Sequence, residues 1–316
     1  MIFVRPSFAP FVVQAGNTFL KYDSLLNTLR SPDRMRTRLS LIAVLSVALC
    51  GSYVYAQFGD KPSALSTIKV RDDLFVIYND LVPGNTTVLV TNQGLILVDN
   101  KFEIDFDNLM AQVRKISNQP VRYVINTHYH GDHSGGNLKM QGQNVQVVAS
   151  ERARRKMVET NQPGPPNVTL ENSVRLYLGG KRVEVYHFGR AHTDGDVVAY
   201  FPDQRVVAMG DMFTVGEGLP PLVDYAGGGS TREWPRSLEG ALALDFDTAI
   251  PGHGKPATKG DLGKYRDNLT QLGRRVVEMQ GKKASRAEIE KELRSRFGFQ
   301  DFHIQASLDG LLAEMR

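Results

Sequence analysis

Ten residues, Thr127-His128-Tyr129-His130-Gly131-Asp132-His133-Ser134-Gly135-Gly136, hold three of the seven histidines in this chain together with a carboxylate. No other stretch restricts the fold so strongly, because ligating groups at this density must serve one site. Alternate side chains of an extended segment share a face, so His128, His130 and Asp132 project together, and Gly131 lets the backbone turn so that His133 swings back toward them. Imidazole nitrogen and carboxylate oxygen are the usual ligands of zinc, and histidines two apart begin many such sites. Two metal ions could share the cluster.

Three more ligating residues stand at or near the ends of apolar runs. His192 lies in Gly189-Arg190-Ala191-His192-Thr193-Asp194, between two strand-like segments; Asp211 follows Val206-Val207-Ala208; and His253, in Pro251-Gly252-His253-Gly254, follows Thr248-Ala249-Ile250. Alone, each reads as a turn residue. In order, His-x-His-x-Asp-His, Gly-x-x-His-Thr, Gly-Asp and Pro-Gly-His-Gly resemble the metallo-β-lactamase superfamily, over roughly Asp72 to Lys259.

That resemblance implies an αββα sandwich: two mixed β-sheets packed face to face, with helices outside. It also implies two Zn2+ ions, a first held by His128, His130 and His192, a second by Asp132, His133 and His253, with Asp211 bridging them. The implied enzyme is a zinc-dependent metallohydrolase whose nucleophile is a metal-activated hydroxide, with Asp132 as the catalytic residue that passes the proton onward. Its substrate would be a small molecule with an ester, lactone, thioester or amide bond. A periplasmic β-lactamase is the alternative, although the branch with a cysteine ligand is excluded by Asp211 and the branch with a histidine at His133 usually lacks the bridging aspartate. An iron-dependent oxidoreductase on the same fold is the alternative of another class.

The charge balance supports a small-molecule partner once the N-terminus is considered. Arg36 and Arg38, the apolar run Leu39 to Cys50 and then Val54-Tyr55-Ala56 read as a secretory signal peptide over residues 35–56, cleaved after Ala56. Residues 1–34 read as an upstream extension, with Met35 the better start. Residues 1–56 carry six of the 38 basic and two of the 34 acidic residues, so a mature chain has 32 of each. Neutrality gives no reason to expect nucleic acid, and no membrane contact is expected after the signal is removed. The expected location is the periplasm or the exterior; oligomeric state is left open. Cys50 is the only cysteine and lies in the leader, so the mature protein would have no disulfide and no thiol ligand.

Residues 57–316 are expected to form a single domain ending in helices over about 260–316. Strands are expected at Leu74 to Tyr78, Thr86 to Thr91 and Leu95 to Val98, with Asn92-Gln93-Gly94 as a hairpin turn, then at Arg122 to Asn126, Val145 to Ala149, Val174 to Leu178, Val183 to His187, Val197 to Phe201, Val206 to Met209 and Phe246 to Ile250. Asp99, just after a buried strand, is either a carboxylate behind a ligating histidine or a cap for the helix over Ile104 to Ile116. Gly135 and Gly136 are expected to open a helix. Ser230-Thr231-Arg232-Glu233 fits a capping box ahead of the face Trp234, Leu238, Ala241 and Leu242. The preceding stretch, Thr214 to Gly229, is long for a connection and a candidate substrate-lining loop. Lys259 to Gln280, Ser285 to Arg296 and Ser307 to Met315 read as covering helices. His187 reads as structural, and His303 has no evident partner.

Overall fold

Alternation of apolar side chains along the strands builds the architecture, in a computed structural model that describes residues 61–79 and 82–316. The leader, its Ala56 boundary, Cys50 and the upstream extension lie outside these residues. Among the described residues, the first sheet contains β1 (Ser66–Lys69), β2 (Leu74–Tyr78), β3 (Thr86–Thr91), β4 (Gly94–Val98), β5 (Val121–Ile125), β6 (Gln146–Ser150) and β7 (Val168–Leu170), neighbours in that order. It is antiparallel as far as β4 and parallel from β4 to β7. The second runs β13-β12-β11-β10-β9-β8, made of β8 (Ser173–Leu178), β9 (Lys181–Tyr186), β10 (Val198–Phe201), β11 (Val206–Ala208), β12 (Thr248–Ile250) and β13 (Ala257–Thr258). Only β11 and β12 are parallel there.

Ile96, Val98, Ile125 and Val148 of the first sheet face Val185, Ala199, Phe201 and Val206 of the second in one dry layer. The residues one position along point the other way. Leu95, Leu97, Val124 and Val147 pack beneath Leu109 and Val113 of α1 (Phe106–Ile116) and Met140 of α3 (Asn137–Gln141). Val198, Val207 and Ala249 pack beneath Trp234 and Leu238 of α5 (Trp234–Leu242) and Leu262 of α6 (Lys259–Gly281). A slip of one residue would exchange the two faces, each buried side chain being worth roughly 1.5–3 kcal/mol. The result is the expected αββα sandwich. Two further elements, α7 (Arg286–Phe297) and α8 (Asp301–Glu314), close a separate apolar cluster of Leu272, Ile289, Leu293, Leu308 and Leu311 against α6.

Several local expectations change. Strands β1, β7 and β13 were not foreseen, because they are short and carry polar or exposed residues. Gly136 does open a helix, as the N-cap of α3, but Gly135 closes a single turn α2 (Gly131–Ser134) before it, and a Cβ on Gly135 would lie 2.5 Å from the Gly131 carbonyl oxygen. Ser230 does receive the Glu233 amide at 3.0 Å, but Glu233 turns to Arg190, so the box is only half made and α5 begins at Trp234 with Pro235 in its first turn. The last helix starts at Asp301 instead of Ser307. Its N-cap is Gln300, not one of the usual short capping residues, and His303 accepts the Gln300 amide there. Ser150 caps α4 (Glu151–Glu159), its side chain accepting the Ala153 amide.

Candidate metal centre

The parallel pairs β4–β5 and β11–β12 deliver their C-terminal ends to one edge of the sandwich. From β4 and β5, which run side by side with Val98 opposite Ile125, come Asp99 and the stretch beginning at Thr127. From β11 and β12, with Ala208 opposite Ile250, come Asp211 and His253. Backbone bonds continue the ladders into the loops: Asp99 donates to Ile125 at 2.8 Å, Met209 to Ile250 at 2.9 Å and Gly252 to Gly210 at 2.8 Å. Gly252 is required by proximity, since a Cβ there would lie 2.0 Å from Asp211 Oδ1. His192 enters from the loop between β9 and β10. Val197, at the end of that loop, donates to the Thr127 carbonyl at 2.8 Å and so ties the second sheet to the root of His128.

The seven side chains fall into two groups close enough to hold a metal ion each: His128, His130, His192 and Asp211, and then Asp132, His133 and His253. In the first, His130 Nδ1 lies 3.0 Å from His128 Nε2 and 2.9 Å from His192 Nε2. In the second, Asp132 Oδ2 lies 3.4 Å from His133 Nε2 and 3.3 Å from His253 Nε2. Asp211 faces both. Its Oδ1 is 3.2 Å from His133 Nε2 and 3.3 Å from His253 Nε2, while its Oδ2 is 3.7 Å from His192 Nε2 and 4.0 Å from His128 Nε2.

Four of the five rings are oriented from behind by a hydrogen bond to the nitrogen turned away from the centre. His128 Nδ1 meets the Thr127 hydroxyl at 3.1 Å; His192 Nδ1 donates to the Leu222 carbonyl at 2.6 Å; His130 Nε2 donates to Asp224 Oδ2 at 2.9 Å; and His133 Nδ1 donates to Asp99 Oδ2 at 2.8 Å. In the neutral ring each bond favours the tautomer that leaves a lone pair facing inward. Asp99 is itself saturated by the Thr127 amide and hydroxyl, both at 2.7 Å, so it stands behind a histidine and does not cap a helix.

Electrostatics match a cation-binding pocket. Burial, helped by His133 and His130, holds His128 well below the ordinary histidine range, and burial lowers His192 to about 4, so both rings offer free lone pairs. Burial opposes the charge on Asp132 and Asp211, yet the neighbouring His133 and His253 prevail and keep both carboxylates ionised. His133 and His253 are correspondingly raised despite burial, supplying between the two aspartates the positive charge that a metal would supply in their place. His133 Nε2 and Asp211 Oδ1 are fully buried and lack a well-formed hydrogen bond, a costly state that a shared cation would relieve. The donor set fits a metal.

The structure therefore brings together all seven residues singled out in the sequence, with Asp99 behind one of them. His187 stays outside, held by the Asp196 carbonyl at 2.8 Å and by Arg152, and His303, in the first turn of α8, belongs to neither group. Sequence reasoning missed Asp224, one of 34 acids with no motif around it, which also takes the Tyr129 hydroxyl. It missed Gly84 too, where a Cβ would fall 2.3 Å from His133 Cε1, and the wholly buried Lys101, whose amino group donates to Ile77 at 3.0 Å and to Gly84 at 2.7 Å.

Comparison with known proteins agrees with this geometry. The family model described as the metallo-beta-lactamase superfamily matches residues 79–253. A metallo-beta-lactamase type 2 of Bacillus sp. (strain 170) is 28% identical over 200 residues, covering 60% of this chain and 74% of its own, and one of Bacillus cereus is 26% identical over 194 residues, covering 60% and 75%. Among solved structures, a metallo-beta-lactamase from Pontibacter korlensis superposes with a TM-score of 0.60 at 24% identity, covering 66% of this chain and 99% of that one.

Proposed function

The chain belongs to the metallo-β-lactamase superfamily, and from that premise we propose that it is an exported dinuclear zinc hydrolase cleaving an acyl bond in a small molecule. The observation that carries the proposal is Asp211, with one carboxylate oxygen turned to each group of histidines. His128, His130 and His192 would hold one zinc through Nε2, Nδ1 and Nε2, and Asp132, His133 and His253 the other. Bound there, the cations would lower the pKa of water toward neutrality and polarise the scissile carbonyl.

The chain's own residues supply the rest. Thr127, Asp224, Leu222 and Asp99 keep four imidazoles in place, so that little reorganisation is needed when substrate binds. Asp132 is the more open of the two central carboxylates, its side chain 16% exposed against 12% for Asp211, and it can receive a proton where solvent enters. No serine or cysteine nucleophile is needed. Export rests on the leader over residues 35–56.

An ester, lactone, thioester or amide satisfies this chemistry. The β-lactam amide is a distinct second reading, favoured by the names of the relatives. A panel on the zinc-loaded mature protein decides: an aryl ester, an acyl lactone, a thioester, a cephalosporin and an aryl phosphodiester. Turnover of an acyl substrate is expected. Turnover of the cephalosporin alone would leave the β-lactam reading, and turnover only of the phosphodiester, or none with two zinc ions bound, would overturn the proposal. An iron-loaded, coloured protein as isolated would point to the oxidoreductase.

A further inference from the structure

We infer that Ser307, on the C-terminal helix α8 and beyond the family match, is a positioning residue for the first-metal histidines, acting through the backbone of Val223. The inference rests on the metal-binding reading above, but its physical content is a chain of contacts. Residues 213–233 form neither helix nor strand, so their buried backbone groups must find partners elsewhere. Val223 finds both in one hydroxyl: Ser307 Oγ donates to its carbonyl at 3.0 Å and receives its amide at 3.3 Å.

The two neighbours of Val223 are the groups that orient the histidines. Leu222, before it, accepts from His192 Nδ1 at 2.6 Å; Asp224, after it, accepts from His130 Nε2 at 2.9 Å, and its amide donates to the His192 carbonyl at 2.9 Å. A peptide rotation at Val223 would displace both partners at once. The Ser307 hydroxyl, 1% exposed among Ile304, Leu308 and Leu311, opposes that rotation. Alanine would pack equally well there, so packing alone gives no reason for a hydroxyl.

A second contact from the same helix restrains the far end of the loop. The Glu314 carboxylate receives the Thr231 amide at 2.9 Å and the Tyr225 hydroxyl at 3.0 Å, together with Ser230 Oγ. Thus α8 grips the loop on both sides of Asp224. The His133 ring is instead oriented by Asp99 at the end of β4, so the grip of α8 acts on the loop behind His130 and His192.

The test is site-resolved nitrogen-proton NMR of the imidazoles, with zinc affinities from chelator competition, on the full mature protein. In Ser307→Ala, solvent exchange of the His192 Nδ1 and His130 Nε2 protons should accelerate about tenfold or more, and one of two zinc affinities should fall by about tenfold. The His133 Nδ1 proton, held by Asp99, should not change, and Ser307→Thr, which keeps the hydroxyl, should behave as wild type. No change, or equal change at all three histidines, would overturn the inference. If Ser307→Ala does not fold, Glu314→Gln is judged by the same criteria. Wild-type protein that binds no zinc would sink the metal reading instead, because the imidazole protons can still be compared in the metal-free chains.

Discussion

The two halves of the centre are held by different means. Around His130 and His192 the partners are a backbone carbonyl and a carboxylate on an irregular loop, and that loop is steadied by a helix that begins at residue 301. Around His133 and His253 they are buried groups fixed to strand ends: Asp99 behind His133, the Gly84 backbone against its ring, Lys101 beneath Gly84, and Asn85, whose side chain donates to Pro251 and Gly254, both at 2.8 Å. The lesson is that one half can be retuned by altering a loop, whereas the other changes only if the core does. The loop over 214–229 orients His130 and His192 through Asp224 and Leu222, so changes in that loop are expected to reach metal affinity in the first half.

The largest effect should come where the halves meet. Asp211→Ala removes the anion shared by both groups and should reduce bound zinc from two to about one, with the second site emptied and hydrolysis reduced about 100-fold or more. Native mass spectrometry reads the stoichiometry; two retained ions with full activity would make Asp211 a bystander. Next come the partners behind the rings. Asp224→Ala should weaken one zinc affinity by about 10 to 100-fold and Asp99→Ala the other. Asp224 and Asp99 bond no residue in common, so the double variant should be close to additive apart from the link from Asp99 through Thr127 to His128, and strong non-additivity would break the division into halves.

A smaller effect is expected for Asn85→Ala, which leaves the Pro251 and Gly254 carbonyls without their donor and should cost about 1–3 kcal/mol of stability in denaturant titrations. Lys101 is read from pH dependence instead. Burial lowers its amine from 10.5 to about 7, against the pull of Asp105, Asp99 and Asp132. Between these pH values the unfolded chain binds the extra proton, so folding stability rises with pH. Metal-free wild type should therefore gain stability relative to Lys101→Met from pH about 7 to about 10 and show little relative change below; a constant difference across that window would show the amine to be neutral throughout or charged throughout.

The same division explains what could be read from the residues alone. His128, His130, Asp132 and His133 declare themselves by spacing, and Asp211 and His253 by following apolar runs, because a ligand at a strand end needs the strand before it. The strands themselves follow from their alternation. Asp224 has no such context: its loop has no period, and its role depends on where Val223 is held. Ser307 is farther still from legibility, being a serine inside a helix whose start at Asp301 is marked only by Gln300, a poor capping signal. Gly84 and Lys101 act through a close approach and a buried amine, neither of which has a signature in sequence.

The hydrogen bond from Val197 to the Thr127 carbonyl has a further consequence. It joins one sheet to the other at the root of His128, so the separation between ligands from β5 and those from β11 and β12 is measured out by the thickness of the apolar layer between the sheets. Such interiors are packed as densely as organic crystals and yield little to compression. The gauge that sets the span between the ligands of each group is thus made of hydrocarbon, and trimming Phe201 or Val206, which belong to that layer and to neither group, is expected to change the span by thinning the spacer.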